Sequence, residues 1–285
     1  MNPDPANLSG SAAPGVYLFC FACPAAIPAV GGPGLDDVGV VSCEIAGDVV
    51  AVVSSVNVEE YCGPTSEANL RNLAWIAPRA FHHEMVIERV MHGSPVLPVR
   101  FGTIFSSSES LAGFLARNHL AITRFLKSVT GKDEWAVKVF LERSKAEKRL
   151  IEADDRFLKV SPSQGTRYMQ LRRLRAEAGK EVTLWAKTVM QDLGKELERE
   201  EADMRSVKPR ALDPREMPLE RIACWAFLLR RETVEHFRRR VEQSGARYRE
   251  WGVHLDLSGP WPPYSFCPSL GNDERSHLSG SETPD

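Results

Sequence analysis

Residues 38–53 read VGVVSCEIAGDVVAVV, two apolar runs on either side of Gly47-Asp48. A Gly-Asp pair between β-rich runs predicts the two-residue turn of a hairpin. The run 49–53 shows no alternation, so both faces of its strand are expected to be covered. Upstream, residues 16–22 form a further apolar β-rich run, tied to the hairpin through the linker Gly31-Gly32-Pro33-Gly34. Downstream, residues 66–91 turn helical, with Leu70, Leu73, Ala77, Ala80 and Ile87 on one stripe. Pro78 lies inside that pattern and is expected to kink it, because it removes a backbone donor. Residues 95–105, PVLPVRFGTIF, read as extended. Ser106-Ser107-Ser108-Glu109 has the form of a capping box, opening a helix with Leu111, Phe114, Leu115, Ile122 and Phe125 inward. Trp135, Val137, Val139 and Leu141 then alternate as a strand.

The order β, β-hairpin, α, β, α, β predicts an α+β fold whose N-terminal part is a modified ferredoxin-like domain over residues 15–142. Both helices are expected on one face of its sheet. Residues 143–267 read as a second α+β domain, beginning with a helical hairpin over 143–208. Its short helix carries Ala146, Leu150, Ala153 and Phe157; its long one carries Leu171, Leu174, Ala178, Val182, Trp185, Val189, Leu193 and Leu197. A strand over 220–229, a helix over 232–241 stopped at Gly245, and a strand with Trp251, Val253, Leu255 and Leu257 complete a β–α–β unit. Residues 1–14 are expected to be a flexible leader and residues 268–285 a disordered acidic tail.

A net charge of −2 conceals an asymmetry: residues 1–70 carry −8 with no Lys, Arg or His, and residues 71–285 carry +6. The acidic start speaks against a secretory signal, which needs a positive n-region. Residues 16–30 are too short for a membrane span and are broken by Pro24 and Pro28. No strongly basic domain appears, which argues against nucleic acid as a partner. Six scattered cysteines in a chain of 285 residues fit reduced thiols in the cytoplasm.

Catalytic motifs fail one by one. Cys20-Phe21-Ala22-Cys23 ends a strand, whereas a redox pair needs its first thiolate at a helix N-terminus; two packed thiols are the better reading. No second Cys-x-x-Cys completes a zinc site. Cys62-Gly63-Pro64 is followed by Thr65 in place of a second cysteine. His82-His83-Glu84 lacks the second histidine of His-Glu-x-x-His and reads as a polar helix edge. No phosphate loop, dinucleotide fingerprint or Gly-x-Ser-x-Gly elbow is present. Neither an enzyme, a cofactor nor a metal is therefore expected. Two segments keep a functional reading: Arg100-Phe101-Gly102-Thr103, a cation beside a glycine in apolar sequence, and Trp261-Pro262-Pro263-Tyr264, aromatics pinned by prolines. These eight are the candidate binding residues. The alternatives are a buried, paired Arg100 and a structural role for the aromatics.

With these segments the chain resembles the gas vesicle protein F/L family (GvpF/GvpL). The resemblance is carried by residues 47–54 (GDVVAVVS), His83-Glu84, residues 95–105, residues 134–139 (EWAVKV) and residues 259–266 (GPWPPYSF). It implies a non-enzymatic accessory protein of the gas vesicle in the cytoplasm. The partners it implies are the very hydrophobic major shell protein and other accessory proteins of the vesicle, with no lipid membrane involved. The expected mechanism is capture of shell subunits during nucleation, limiting their aggregation, with an open sheet edge able to add a strand of the subunit. The alternatives are an architectural adaptor acting through the charged helical hairpin, and, last, a thiol-dependent redox enzyme.

Overall fold

Strand β1 (Pro14–Ala22) is the centre of the first sheet, and nearly every residue along it is buried. The computed structural model describes residues 14–36, 39–154, 163–198, 203–207 and 219–271. Two compact units emerge: 1–130 with 262–285, and 131–261 between them. The leader over residues 1–13 and the tail from 272 onward lie outside the described residues, as does Phe157 of the hairpin. Pro14, placed in the leader by sequence, begins β1.

In the first unit β2 (Ser42–Ala46) and β3 (Val49–Asn57) form the hairpin foreseen, turning at Gly47, whose φ of +63° suits glycine. The sheet order is β2-β3-β1-β4, with β4 (Val96–Pro98) and β5 (Ile104–Phe105) both on β1, and all pairs are antiparallel. A bulge between Leu18 and Cys20 shifts the register of β1. It places Tyr17, Phe19, Cys20 and Ala22 on one face and leaves Leu18 and Phe21 for the other.

The helical stretch is broken at Asn72, ahead of Pro78. Short α1 (Val58–Cys62) and α2 (Ser66–Arg71) precede α3 (Leu73–Met91), which runs through Pro78. Asn72 caps α3 by accepting the Ala74 N–H at 3.0 Å. The buried side of α3 is His83, Val86, Ile87, Val90 and Met91, while Leu73 and Ala77 of the expected inner stripe are exposed. α4 (Ser108–Val129) opens one residue later than foreseen: Ser107 is the cap and Ser110, not Glu109, returns the bond, both contacts at 3.2 Å.

The two long helices cover opposite faces of the sheet, correcting the expectation of one. α3 packs on the face of Tyr17, Phe19, Val52 and Val96, whereas Phe114 of α4 meets Phe21 at 6.2 Å and Phe105 at 5.4 Å between ring centroids. This double cover is why residues 49–53 lack alternation, since a strand buried on both sides is apolar throughout.

The second unit begins with β6 (Lys132–Leu141), so the strand assigned by sequence to the first domain belongs here and the boundary falls at 130/131 instead of 142. β7 (Asp203–Ser206), β8 (Glu220–Arg230) and β9 (Val253–Trp261) complete an antiparallel sheet in the order β7-β8-β6-β9. β7 lies where the sequence suggested helix and linker. β8 and β9 are separated by β6, so the β–α–β unit foreseen is split around a third strand. α5 (Arg143–Ala153) and the long α6 (Gln164–Glu198) pair antiparallel as expected, with Arg143 donating to the Gly179 carbonyl at 3.2 Å. They and α7 (Val234–Tyr248) share the core of Trp135, Val137, Val139 and Leu141 with Phe227 and Phe237. α7 does not stop at Gly245; that buried residue faces Leu255 of β9, the Cβ it lacks falling 3.6 Å from the leucine Cβ.

Gly259 in β9 has φ +145°, and a Cβ there would sit 2.9 Å from Trp135 Cδ2 and 3.0 Å from the Glu134 carbonyl oxygen. Gly259→Ala is therefore expected to destabilise the second unit by about 2 kcal/mol through backbone strain and this crowding. Urea unfolding of the variant against the wild type measures it, and equal midpoints would refute the assignment.

Candidate functional site

The Arg100–Thr103 segment forms a tight turn between β4 and β5, not part of a strand. The Thr103 N–H donates to the Arg100 carbonyl at 3.2 Å, and Thr103 Oγ1 donates to the same oxygen at 2.7 Å. Gly102, at the third position, has φ +84°, as a type II turn requires. The flanks are bonded to β1: Val99 N–H to the Phe19 carbonyl at 3.2 Å, and Leu18 N–H to the Thr103 carbonyl at 2.9 Å.

Beneath the turn lies a buried relay. Gly102 N–H donates to the Tyr17 hydroxyl oxygen at 3.2 Å, and that hydroxyl lies 2.8 Å from His83 Nδ1. His83 Nε2 lies 3.2 Å from the Val99 carbonyl oxygen, which can only accept. The proton is thus on Nε2, and Nδ1 accepts from Tyr17. Burial lowers the His83 pKa to about 4, so the ring is neutral, and burial likewise pushes the Tyr17 hydroxyl well above its ordinary value. His83 stacks on Phe19 and meets Tyr17 and Phe101 edge-on. It is 1% exposed, which overturns its reading as part of a polar helix edge.

The C-terminal segment of this unit is fixed at three points. The Tyr264 hydroxyl donates to Glu84 at 2.8 Å, and burial together with that carboxylate raises its pKa. The Cys267 thiol lies 3.6 Å from the Pro98 carbonyl oxygen, at the β4 edge. Gly271 N–H donates to Asn118 Oδ1 of α4 at 3.0 Å. The chain thus straps over the sheet edge from α3 to α4. Residues 268–271, expected in the disordered tail, are part of this ordered strap.

Between turn and strap lies a groove of about 580 Å³. Val99, Phe101, Phe105 and Leu270 supply its partly exposed apolar lining over the buried Leu18, Phe21, Leu97 and Phe114, and Arg100 is the single charged residue among the described residues that line it. The structure therefore gathers Arg100, Phe101, Gly102, Thr103 and Tyr264 around one groove. Pro262 and Pro263 are buried beside it without lining it, and Trp261 ends β9 in the second unit, its Nε1–H 3.4 Å from Ser258 Oγ. Arg100 is exposed, with no ion pair among the described residues, so the buried and paired alternative does not hold.

The other lures resolve as packing. Cys20 is buried in β1, and burial raises its thiol pKa, the opposite of what an attacking thiolate needs. Cys23 carries the start of a 3-10 turn (Pro24–Ala29), its N–H bonded to Ser94 Oγ at 3.1 Å. Among the described residues no cluster of three His, Cys, Asp or Glu could hold a metal. Nor is any described helix long and apolar enough to cross a membrane.

Residues 15–268 match the family described as "Gas vesicle synthesis protein GvpL/GvpF". The chain belongs to the GvpL/GvpF gas vesicle family. Similar proteins include gas vesicle protein L of a Streptomyces species, 28% identical over 78% of this chain and 80% of that one. Gas vesicle protein L2 of Halobacterium salinarum is 25% identical over 96% of this chain and 99% of its own length. The fold is that of crystal structures of GvpF from Anabaena sp. PCC7120 and Microcystis aeruginosa, with TM-scores of 0.64 and 0.61 over 90% of this chain and 97% and 99% of theirs, at 21% and 18% identity. A role connected with the gas vesicle follows from membership of GvpL/GvpF. His83-Glu84, residues 95–105 and Tyr264 are tied together beside the groove: His83 bonds the Val99 carbonyl, and Glu84 accepts from Tyr264.

Proposed function

We propose that this GvpL/GvpF protein is a non-enzymatic assembly factor, acting in the cytoplasm and at the gas vesicle, that captures the hydrophobic major shell protein during nucleation and limits its aggregation. The observation that supports it most is a groove with partly exposed apolar residues, lined in part by residues 97–103, in a chain of this family. A subunit that must face gas presents apolar surface to water before it is assembled, and an apolar groove shields such a segment.

Pull-down of purified shell protein at matched salt tests the reading. Ser269 is exposed and lines the groove, so Ser269→Trp fills the space without disturbing the core. Retention of the shell protein by the wild type, weakened about tenfold in the variant, is the expected result. A wild type that retains none ends the proposal.

A second route has its own support. β2 is an edge of the first sheet, and Val40 and Ile45 beside and within it are more than 60% exposed. The opposite edge strand, β4, contains Pro98, which cannot donate. Strand addition, if it contributes, belongs at β2, and Ile45→Lys would then weaken retention while Ser269→Trp would not.

A further inference from the structure

An apolar groove alone selects poorly, because any greasy segment of suitable width satisfies it. Among the described residues this one carries a single cation at its wall. Arg100 is exposed, its side chain has no acceptor among the described residues, and no carboxylate is among the lining residues that could neutralise it. Its backbone is held firmly: the Arg100 carbonyl takes two bonds from Thr103, and Gly102 is fixed through Tyr17 to His83. The structure thus presents one guanidinium on a rigid turn beside the partly exposed apolar residues Val99, Phe101, Phe105 and Leu270.

We infer that the groove is specific for an apolar peptide segment bearing one carboxylate, the acid pairing with Arg100 while the flanking apolar side chains lie in the groove. This rests on the capture reading above and adds to it the chemistry by which the segment is chosen. The charge complementarity is direct: a planar guanidinium forms two parallel bonds to a carboxylate, which fixes register as well as adding affinity. A segment with lysine in that place meets like charge and is rejected. The pair forms beside apolar walls that thin the surrounding water, so it is worth more than a fully exposed ion pair.

The test is an array of overlapping twelve-residue peptides covering the major shell protein, each also made with every Asp and Glu changed to Asn and Gln. It is probed with the wild type, Arg100→Gln, Arg100→Lys and Ser269→Trp. The expected result is that the retained peptides contain an acidic residue among apolar ones, and that amidation weakens them about threefold to tenfold. Arg100→Gln should bind both forms alike, Arg100→Lys should keep part of the preference, and Ser269→Trp should bind neither. Peptides bound equally in acid and amide form, yet lost in Ser269→Trp, would overturn the carboxylate inference and leave capture by the groove standing. A preference for the acid that survives in Arg100→Gln would overturn the role of Arg100. If neither peptides nor intact shell protein bind the wild type, both readings fall together.

Discussion

Lowering the pH from 7 to about 4 is expected to cost the first unit about 3 kcal/mol through His83 alone. The ring is neutral in the fold because burial lowers its pKa to about 4 from an ordinary 6.5. Between those values the unfolded chain binds a proton that the folded chain refuses. Stability is therefore full above the unfolded pKa, falls as pH drops through the window, and levels off once the folded ring itself protonates. Protonation would also place a donor on Nδ1, where the Tyr17 hydroxyl needs an acceptor. Hydrogen exchange of β1 amides at pH 7, 5.5 and 4.5, read by mass spectrometry, follows the loss. Exposed carboxylates titrate nearby, so the decisive comparison is with His83→Gln, which keeps a neutral polar group and should flatten this part of the profile. His83→Leu is the harsher variant. It leaves the Tyr17 O–H without its acceptor and the Val99 carbonyl without its His83 donor, for a cost of about 2–5 kcal/mol at any pH. A profile identical in wild type and His83→Gln would remove His83 from the account.

His83 also marks where sequence reading reached and where it stopped. As part of His82-His83-Glu84 it looked like a polar edge, yet its phase with Ile87 and Val90, four and seven residues on, was the signal that put it inside. The hairpin at Gly47-Asp48 was legible because its turn chemistry is local. The lack of alternation over 49–53 told that both faces are covered, but not by what; both long helices were assigned to one face. Alternation marks β6 as a strand but leaves its unit open, since its partners β8 and β9 lie some 80 residues or more further along. A strand's own residues record its faces and not its neighbours. The groove shows the same limit. The sequence singles out Arg100–Thr103 and Tyr264, while Leu97 and Phe105 read only as part of an extended segment, Phe114 as core and Leu270 as tail. Their convergence depends on a strap returning after about 130 intervening residues.

That return makes the groove sensitive to a core it does not contain. The chain of the second unit is inserted between α4 and the strap, and its two ends are held near each other because Glu134 of β6 pairs with Trp261 of β9. While it is folded, the insertion delivers the strap at no entropic cost. Once unfolded, it becomes a loop of about 130 residues, and closing such a loop costs about 4 kcal/mol on the (3/2)RT ln n estimate. The strap's anchors include Tyr264 on Glu84, Cys267 at Pro98 and Gly271 on Asn118. At about 1 kcal/mol for an ordinary net hydrogen bond these three fall short of that cost by themselves, and with about 2 kcal/mol from the burial of Phe266 the strap is left near balance. Phe237→Ala provides the experiment. The ring is buried 4.9 Å from that of Phe227 within the helix–sheet core, so truncation should destabilise the second unit by about 3–5 kcal/mol. In moderate urea, where the variant's second unit is unfolded and the first is intact, the Gly271 amide should lose its exchange protection. Shell-protein retention should fall with it, although every residue lining the groove is unchanged. Retention and Gly271 protection that persist after the second unit has unfolded would show that the strap holds by its local contacts alone.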